Sequence, residues 1–275
     1  MGVIDYQVTA EDKAIFDRDG YWISPKLIDD ETIERLRKAH DRIWDRDFDG
    51  DGFSMNPLPP KKKLAIRKCE NGWWINDEVH AFVTDENLGK IAADILGEDE
   101  IRLWHDQVIY KPGSAGEDTN LGNVGWHQDY GYWRCTSTTN MVTVWVALQD
   151  TVVENGAMKT ILGSHKWGEV EGSDTFFEQD MEKLREKFAQ QDWVEEPCIL
   201  KAGQASFHHS LTFHGSGPNV TSDPRLSIVA HLMPGHTSYH KGRANHDNIK
   251  FLGPRPYNGQ PFNNEYFPLL YSKKG

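Results

Sequence analysis

Cysteine is scarce in this chain. Cys69, Cys135 and Cys198 are scattered, and three is an odd number. No pair has zinc-ligand spacing, so neither a disulfide framework nor a structural zinc site is expected. The reading is buried free thiols in a reducing compartment. Long apolar runs are also missing: nothing approaches the roughly 20 residues of a membrane span. The opening Met1-Gly2-Val3-Ile4-Asp5-Tyr6 has no basic start leading into an apolar stretch, so no signal peptide and a cytoplasmic location are expected. Basic charge is in deficit, with 30 Lys and Arg against 42 Asp and Glu and a net charge of −12. That argues against a general binder of nucleic acid or anionic membrane, which needs a basic field. It also weighs mildly against a polyanionic substrate such as a CoA thioester. No repeat with a period of about 20–50 residues is present.

What is there suits a folded domain. Hydrophobic residues make up 38% and aromatics 11%, enough for a substantial core. The spacing predicts a short helix over Ala10–Asp19 with Thr9 as N-cap, and a short strand at Gly20–Ile23. An amphipathic helix follows over Asp29–Trp44, with Ile33, Leu36 and Ile43 on its apolar face. Another runs over Asn87–Leu96 and is closed by Gly97. Between them, Asp45–Pro60 is rich in turn signals. Its run Asp45, Asp47, Asp49, Asp51 superficially suggests a calcium loop but lacks the closing Glu and the glycine placement, so a solvated loop is expected. Lys61-Lys62-Lys63 reads as a solvated face, or as a patch steering an acidic small molecule. Trp73-Trp74 either lines a substrate pocket or covers the edge of the core.

From residue 101 the period changes to two. Ile101–Tyr110 alternates, with Leu103, Gln107 and Ile109 on one parity, and Met141–Leu148 is the strongest strand in the chain. Asn155-Gly156 signals a hairpin turn with Ala157–Leu162 as its return strand. Asp180–Phe188 reads as a helical insertion. Short strands follow at Cys198–Leu200, Ala205–His208, Leu211–His214 and Leu226–Met233, then an irregular tail from Pro234. The pattern predicts a mainly β protein with flanking helices (α+β) and a double-stranded β-helix core of jelly-roll or cupin-like type. The expectation is one domain over 1–275: a mostly helical part over 1–100 packing on the barrel, a core over 101–235 with the insertion near 174–192, and a tail over 236–275.

The chemistry centres on Trp126-His127-Gln128-Asp129-Tyr130. In an extended segment alternate side chains share a face, so His127 and Asp129 project together and Gln128 projects away. An imidazole and a carboxylate are two thirds of the 2-His-1-carboxylate site of non-haem Fe(II) oxygenases. The third ligand is to be found among His105, His165, His208, His209, His214, His231, His236, His240 and His246. His214 stands out, in Phe213-His214-Gly215-Ser216-Gly217-Pro218-Asn219, with Arg225 eleven residues later.

In these residues the chain closely resembles the phytanoyl-CoA hydroxylase-like branch of the Fe(II)/2-oxoglutarate-dependent dioxygenases. That family carries His-x-Asp, a distal His followed by Ser and Asn, and an Arg at this spacing. Phe16-x-x-x-Gly20-Tyr21, Trp145, Asn155-Gly156 and Gly163-Ser164-His165 extend the likeness over most of the chain. The resemblance implies that His127, Asp129 and His214 hold Fe(II), with positions left for 2-oxoglutarate and O2. It implies that Arg225 holds the distal carboxylate of 2-oxoglutarate, which a planar guanidinium can do bidentately. Ser216 would assist with its hydroxyl, and Gln107 and Trp145 would line the same pocket. Gln128 matches a residue near the site in relatives, but alternation turns it away.

The implied reaction decarboxylates 2-oxoglutarate to succinate and CO2 and hydroxylates, or otherwise oxidises, an unactivated C–H bond. Related halogenases have Gly or Ala where this chain has Asp129, so halogenation is disfavoured. A small-molecule substrate is expected, with Trp73, Trp74, Tyr130, Tyr132 and Trp133 as candidate contacts. Lys63, Arg67, Lys68, Arg134 or Arg243 are candidates to pair with an anionic substrate group. His165 reads as a turn residue, and His208 and His209 as neighbours of the pocket. Two other readings remain at this stage. One is a jelly-roll module binding carbohydrate on Trp73, Trp74 and Trp133; the other is an oxygen or 2-oxoglutarate sensor with little turnover. The sequence does not specify an oligomeric state.

Overall fold

The computed structural model describes residues 2–49, 58, 64–117, 120, 122–188 and 192–274. Asp51, Lys61, Lys62 and Lys63, and so part of the acidic run and the lysine patch, lie outside these residues. Helix α1 (Ala10–Asp19) starts with a reciprocal capping box between Thr9 and Asp12 and ends at Gly20 in the left-handed region. Strand β1 (Tyr21–Ile23) leads to helix α2 (Asp30–Asp45), whose first turn is capped by the Asp29 carboxylate on the Thr32 N–H. Ile33, Leu36 and Ile43 form the buried stripe of α2, as its spacing predicts. Arg42 in its last turn pairs with Asp47 and Asp49 beyond its end. β2 (Arg67–Glu70), α3 (Asp77–Val83) and α4 (Glu86–Leu96) complete the N-terminal part.

The remaining strands form two antiparallel sheets. β3 (Glu100–Lys111), β5 (Val142–Ala147), β8 (Ala205–His209), β10 (Arg225–Pro234) and β11 (Leu269–Ser272) join β1 and β2 in a seven-stranded sheet. Its main path is β1-β8-β5-β10-β3-β11, with β2 also on β3. β4 (Val124–His127), β6 (Met158–Ile161), β7 (Glu195–Pro197) and β9 (His214–Ser216) form the second, in the order β4-β9-β6-β7. This is the sheet-rich double-stranded β-helix that the strand pattern predicts, with helices against one face. The main core lies on that face, where Leu36, Ile43, Val79 and Ile91 of the helices meet Val108, Val144, Phe207 and Ile228 of the large sheet. Among the described residues, no helix is long and apolar enough to cross a membrane. All three cysteines are free and buried.

Five expectations are corrected. Leu103 does not share a face with Gln107 and Ile109. His231 pairs with His105 but Leu232 pairs with Leu103, so Trp104 is an extra residue, and this bulge reverses the parity. Leu103 therefore joins Val108 in the helix-side core, and Ile109 faces the other way. Asn155-Gly156 is not a hairpin. It is a 3-10 turn ending in left-handed Gly156 that carries the chain from β5 in one sheet to β6 in the other. The strand expected at Cys198–Leu200 lies earlier, at β7, and the one at Leu211–His214 later, at β9, because Leu211–Phe213 makes the turn after β8. The tail contributes β11 to the large sheet. The helical insertion is present as α6 (Met181–Phe188).

Candidate metal and co-substrate site

His127 ends β4, directly across from His214 at the start of β9, and their rings are 4.1 Å apart at the centroids. A bulge in β4 between Val124 and His127 brings both residues to the cavity side. Asp129 reaches the same point by a different route from the extended one expected. Its backbone is helical, at φ −57 and ψ −38, because the chain turns there into the short helix α5 (Tyr130–Trp133). The carboxylate Oδ1 still lies 3.5 Å from His127 Nε2 and 3.7 Å from His214 Nε2. One ligand atom from each of the three residues falls within 4.8 Å of the others, and all three residues are buried.

The ring orientations are fixed from behind. His127 Nδ1 bonds the Gly125 carbonyl at 2.7 Å, and His214 Nδ1 bonds the Thr212 carbonyl at 2.9 Å. A carbonyl only accepts, so each Nδ1 carries the proton and each Nε2 presents a lone pair to the shared space. At Gly125 a Cβ would collide with the carbonyl oxygens of Thr175 and Glu178, which cover the strand. On Asp129, Oδ2 accepts the Thr143 hydroxyl at 2.5 Å, leaving Oδ1 toward the imidazoles. Thr143 Oγ1 in turn lies 2.8 Å from His231 Nδ1. With the hydroxyl proton committed to Asp129, His231 must donate. His208 Nε2 stands 3.5 Å from Oδ2. Burial pushes the Asp129 carboxyl up, but the surrounding imidazoles, His214 foremost and then His127, His208 and His231, outweigh it and hold it well below the usual range. Burial also holds His214 far below its ordinary value, with His127 adding to the effect. Two neutral imidazoles and one carboxylate, open on one side, are a donor set that fits a divalent transition metal.

The large sheet supplies the other wall through its register. His105, His231, Thr143 and His208 align across β3, β10, β5 and β8; Gln107, Val229, Trp145 and Ser206 form the next row. Farther along, Arg225 pairs with Lys111. Arg225 is buried, donates to the Gly156 carbonyl, and lies 5.0 Å over the Trp145 ring. Gly156 has φ +76, and a Cβ there would meet the Lys111 Cε at 2.9 Å. The left-handed backbone that turns this carbonyl to the guanidinium favours glycine. Burial lowers the Arg225 guanidinium to about 10, and its Nε has no partner among the described residues. The structure thus brings His127, Asp129, His214, Arg225, Ser216, Trp145 and Gln107 to one cavity. On the other side of His127 and Asp129, a chamber of about 390 Å³ opens outward. Its walls include Lys68, Glu70, His105, Tyr132, Trp133 and Phe176.

Several expected contacts are not at the cavities. Trp73 is in the helix-side core, and Trp74 packs edge-on against Phe251 and Tyr266, so this pair covers the core edge. Tyr130 is buried with its hydroxyl on the Thr136 carbonyl, while Tyr132 and Trp133 do line the chamber. The carbohydrate-module reading thereby loses two of its three aromatic platforms. Gln128 points away, as alternation predicts, and ties together the Gly168, Val170 and Leu211 backbones. His165 and His209 pack on each other away from the ligand atoms. Arg67 stacks on Tyr110, and Arg134 and Arg243 both pair with Glu169; of the described candidates Lys68 lines the chamber, where it pairs with Glu70 at 2.7 Å. Sequence reasoning missed Thr143, Lys111 and Phe176. The alternation of β5 already placed Thr143 on the face of Trp145; nothing in the sequence marked Phe176, whose ring meets that of His127 edge-on at 5.2 Å.

Comparison with known proteins adds a family likeness. The family model described as Phytanoyl-CoA dioxygenase (PhyH) matches residues 16–227. Human peroxisomal phytanoyl-CoA dioxygenase is 24% identical over 245 residues, covering 84% of this chain and 70% of that protein. Ectoine dioxygenase of Nocardia farcinica is 25% identical over 237 residues, covering 81% and 76%. Among solved structures, the epimerase SnoN in complex with Fe3+, alpha ketoglutarate and nogalamycin RO superposes with a TM-score of 0.71 at 25% identity, over 94% of this chain and 97% of that one.

Proposed function

The chain belongs to the phytanoyl-CoA dioxygenase (PhyH) family, and from that premise we propose that it is an Fe(II)- and 2-oxoglutarate-dependent dioxygenase that hydroxylates a small molecule. Its family and structural neighbours support the reaction class. The observation that carries the site assignment is a metal-type donor triad sharing one buried cavity with an arginine that no carboxylate neutralises among the described residues. When bound, the metal and 2-oxoglutarate supply the O2 chemistry, in which the co-substrate ends as succinate and CO2 and one oxygen atom goes to the substrate.

The chain's own residues bind, orient and exclude water. His127, Asp129 and His214 hold the metal, and their Nδ1 and Oδ2 bonds keep the ligand atoms aimed. Arg225 takes the distal carboxylate of 2-oxoglutarate, with Ser216 as a second donor and Trp145 as the platform under the guanidinium. Gln107 and Phe176 line both cavities at the boundary between co-substrate and substrate. Asp129 occupies the position that a halide-binding enzyme leaves open, which favours hydroxylation over halogenation. The substrate enters the outer chamber, whose volume of about 390 Å³ suits a small molecule. The described N-terminal residues act as one unit with the barrel, because α2 and β2 brace the strand that carries Gln107 and Lys111.

Oxygen-dependent formation of succinate from 2-oxoglutarate by the Fe(II)-loaded protein, measured with and without a panel of small polar molecules, tests this function. Succinate production that requires iron and rises with one member of the panel is the expected result. Iron-loaded, folded protein that makes none with any member contradicts it.

A further inference from the structure

Lys111 is fully buried, a costly position for an ammonium group. Its Nζ donates to Ser216 Oγ at 2.6 Å. It is directly paired across the sheet with Arg225, a second buried cation. Among the described residues no carboxylate forms an ion pair with either one. Two cations held together out of water repel one another, and burial and Arg225 together hold the Lys111 amine well below its ordinary value. The fold tolerates this arrangement beside a cavity that Arg225 and Ser216 line and Lys111 does not. A carboxylate in that cavity relieves the repulsion.

The hydrogen bond also has a direction. Lys111 Nζ is the donor and Ser216 Oγ the acceptor, and a carboxylate bound in the cavity favours the ammonium form, which can only donate. The Ser216 hydroxyl proton is then left for another acceptor, and no hydrogen bond among the described residues uses it. The geometry points to Lys111 as a positioning residue for the distal carboxylate of 2-oxoglutarate, acting through the Ser216 hydroxyl. It stands behind the serine, commits that hydroxyl to donate into the cavity, and adds positive potential to that of Arg225. The inference rests on the 2-oxoglutarate reading of the cavity.

The test is an anaerobic titration of the Fe(II)-loaded protein with two ligands. One is 2-oxoglutarate; the other is 2-oxopentanoate, which keeps the 2-oxo acid head and carries a methyl group in place of the distal carboxylate. Lys111→Met should weaken 2-oxoglutarate by about ten- to thirtyfold, the range for losing a charge-assisted bond. It should change 2-oxopentanoate by less than about twofold, within ordinary mutational non-additivity. The Lys111→Met/Ser216→Ala double variant should lose less than the product of the single losses, because the two residues act as one device. Lys111→Gln, a donor without charge, should fall between wild type and Lys111→Met. Unchanged 2-oxoglutarate affinity in Lys111→Met, or equal weakening of both ligands, overturns the inference. If neither Lys111 variant folds, Ser216→Ala decides: it must weaken 2-oxoglutarate and spare 2-oxopentanoate, and an equal effect on both overturns the inference. Wild-type protein that binds no 2-oxoglutarate would instead remove the co-substrate reading itself.

Discussion

Replacing Thr143 by Val is the sharpest probe of how the metal ligands are held. The substitution keeps the shape and removes one hydroxyl. In the native protein that hydroxyl donates to Asp129 Oδ2 at 2.5 Å and accepts from His231 Nδ1. A hydrogen bond to a charged acceptor contributes about 1.5–3 kcal/mol, which corresponds to roughly ten- to a hundredfold in affinity. His208, 3.5 Å from the same oxygen, remains to steady the carboxylate. The loss should therefore fall toward the lower end, about ten- to thirtyfold in metal affinity. Competition for Fe(II) or Mn(II) against a chelator of known affinity, under anaerobic conditions, reads this directly. Thr143→Ser retains the hydroxyl and should stay close to wild type. The metal-free Val variant should also be less stable by about 1–3 kcal/mol, since a buried His231 N–H loses its acceptor. If Thr143→Val binds metal as tightly as wild type, the hydroxyl does not hold the carboxylate, and the reasoning from Oδ2 to Oδ1 fails.

Other expectations follow from the same geometry. His127→Ala, Asp129→Ala and His214→Ala should each abolish stoichiometric iron binding, measured by metal analysis after desalting. Arg225→Ala should retain iron and weaken 2-oxoglutarate by about a hundredfold or more, as expected for losing a buried bidentate partner; calorimetry separates the two effects. Trp73→Ala should cost about 3–5 kcal/mol in denaturant unfolding, as a large core truncation does, and leave 2-oxoglutarate affinity unchanged. Acid should destabilise the metal-free protein in a defined window. Burial holds His40, His105 and His209 down to about 4 and His246 to about 3. The unfolded chain protonates these imidazoles near 6.5, so it binds more protons than the folded one between about pH 6.5 and 4, and stability falls as pH drops through that range. Asp106, raised to about 7 by burial, opposes this but is one group against four. A thermal midpoint that holds steady or rises as pH falls across this range would contradict the assignment.

The parts of the fold visible in the sequence are those set by local chemistry. Thr9, Asp29 and Gly97 cap their helices as their residue types require. The period of two in Met141–Leu148 and Leu226–Met233 gives the two strands that carry Trp145 and His231. His-x-Asp was legible for a partly wrong reason: Asp129 converges with His127 through a helical turn, not through strand alternation. What was hidden depends on distant partners. The Trp104 bulge follows from how β10 pairs with β3, and the side on which Leu103 lands cannot be read from β3 alone. Asn-Gly turn chemistry serves a hairpin and a crossing between sheets equally well, and the sheets decide which one forms. Leu269–Ser272 is too short to stand out until β3 offers it an edge. Nothing in the sequence marks Lys111, which the structure shows buried and paired across the sheet with Arg225.

The central claim is that the His127, Asp129 and His214 triad and Arg225 form one site for iron and 2-oxoglutarate. Anaerobic addition of one equivalent of Fe(II), followed by 2-oxoglutarate, tests it through the weak visible charge-transfer band of the iron-bound 2-oxo acid. The account predicts that the band appears in wild type, saturates at one 2-oxoglutarate per iron, and needs far more 2-oxoglutarate in Arg225→Ala. Folded, iron-loaded protein that develops no band, or an Arg225→Ala titration that overlays wild type, would contradict it.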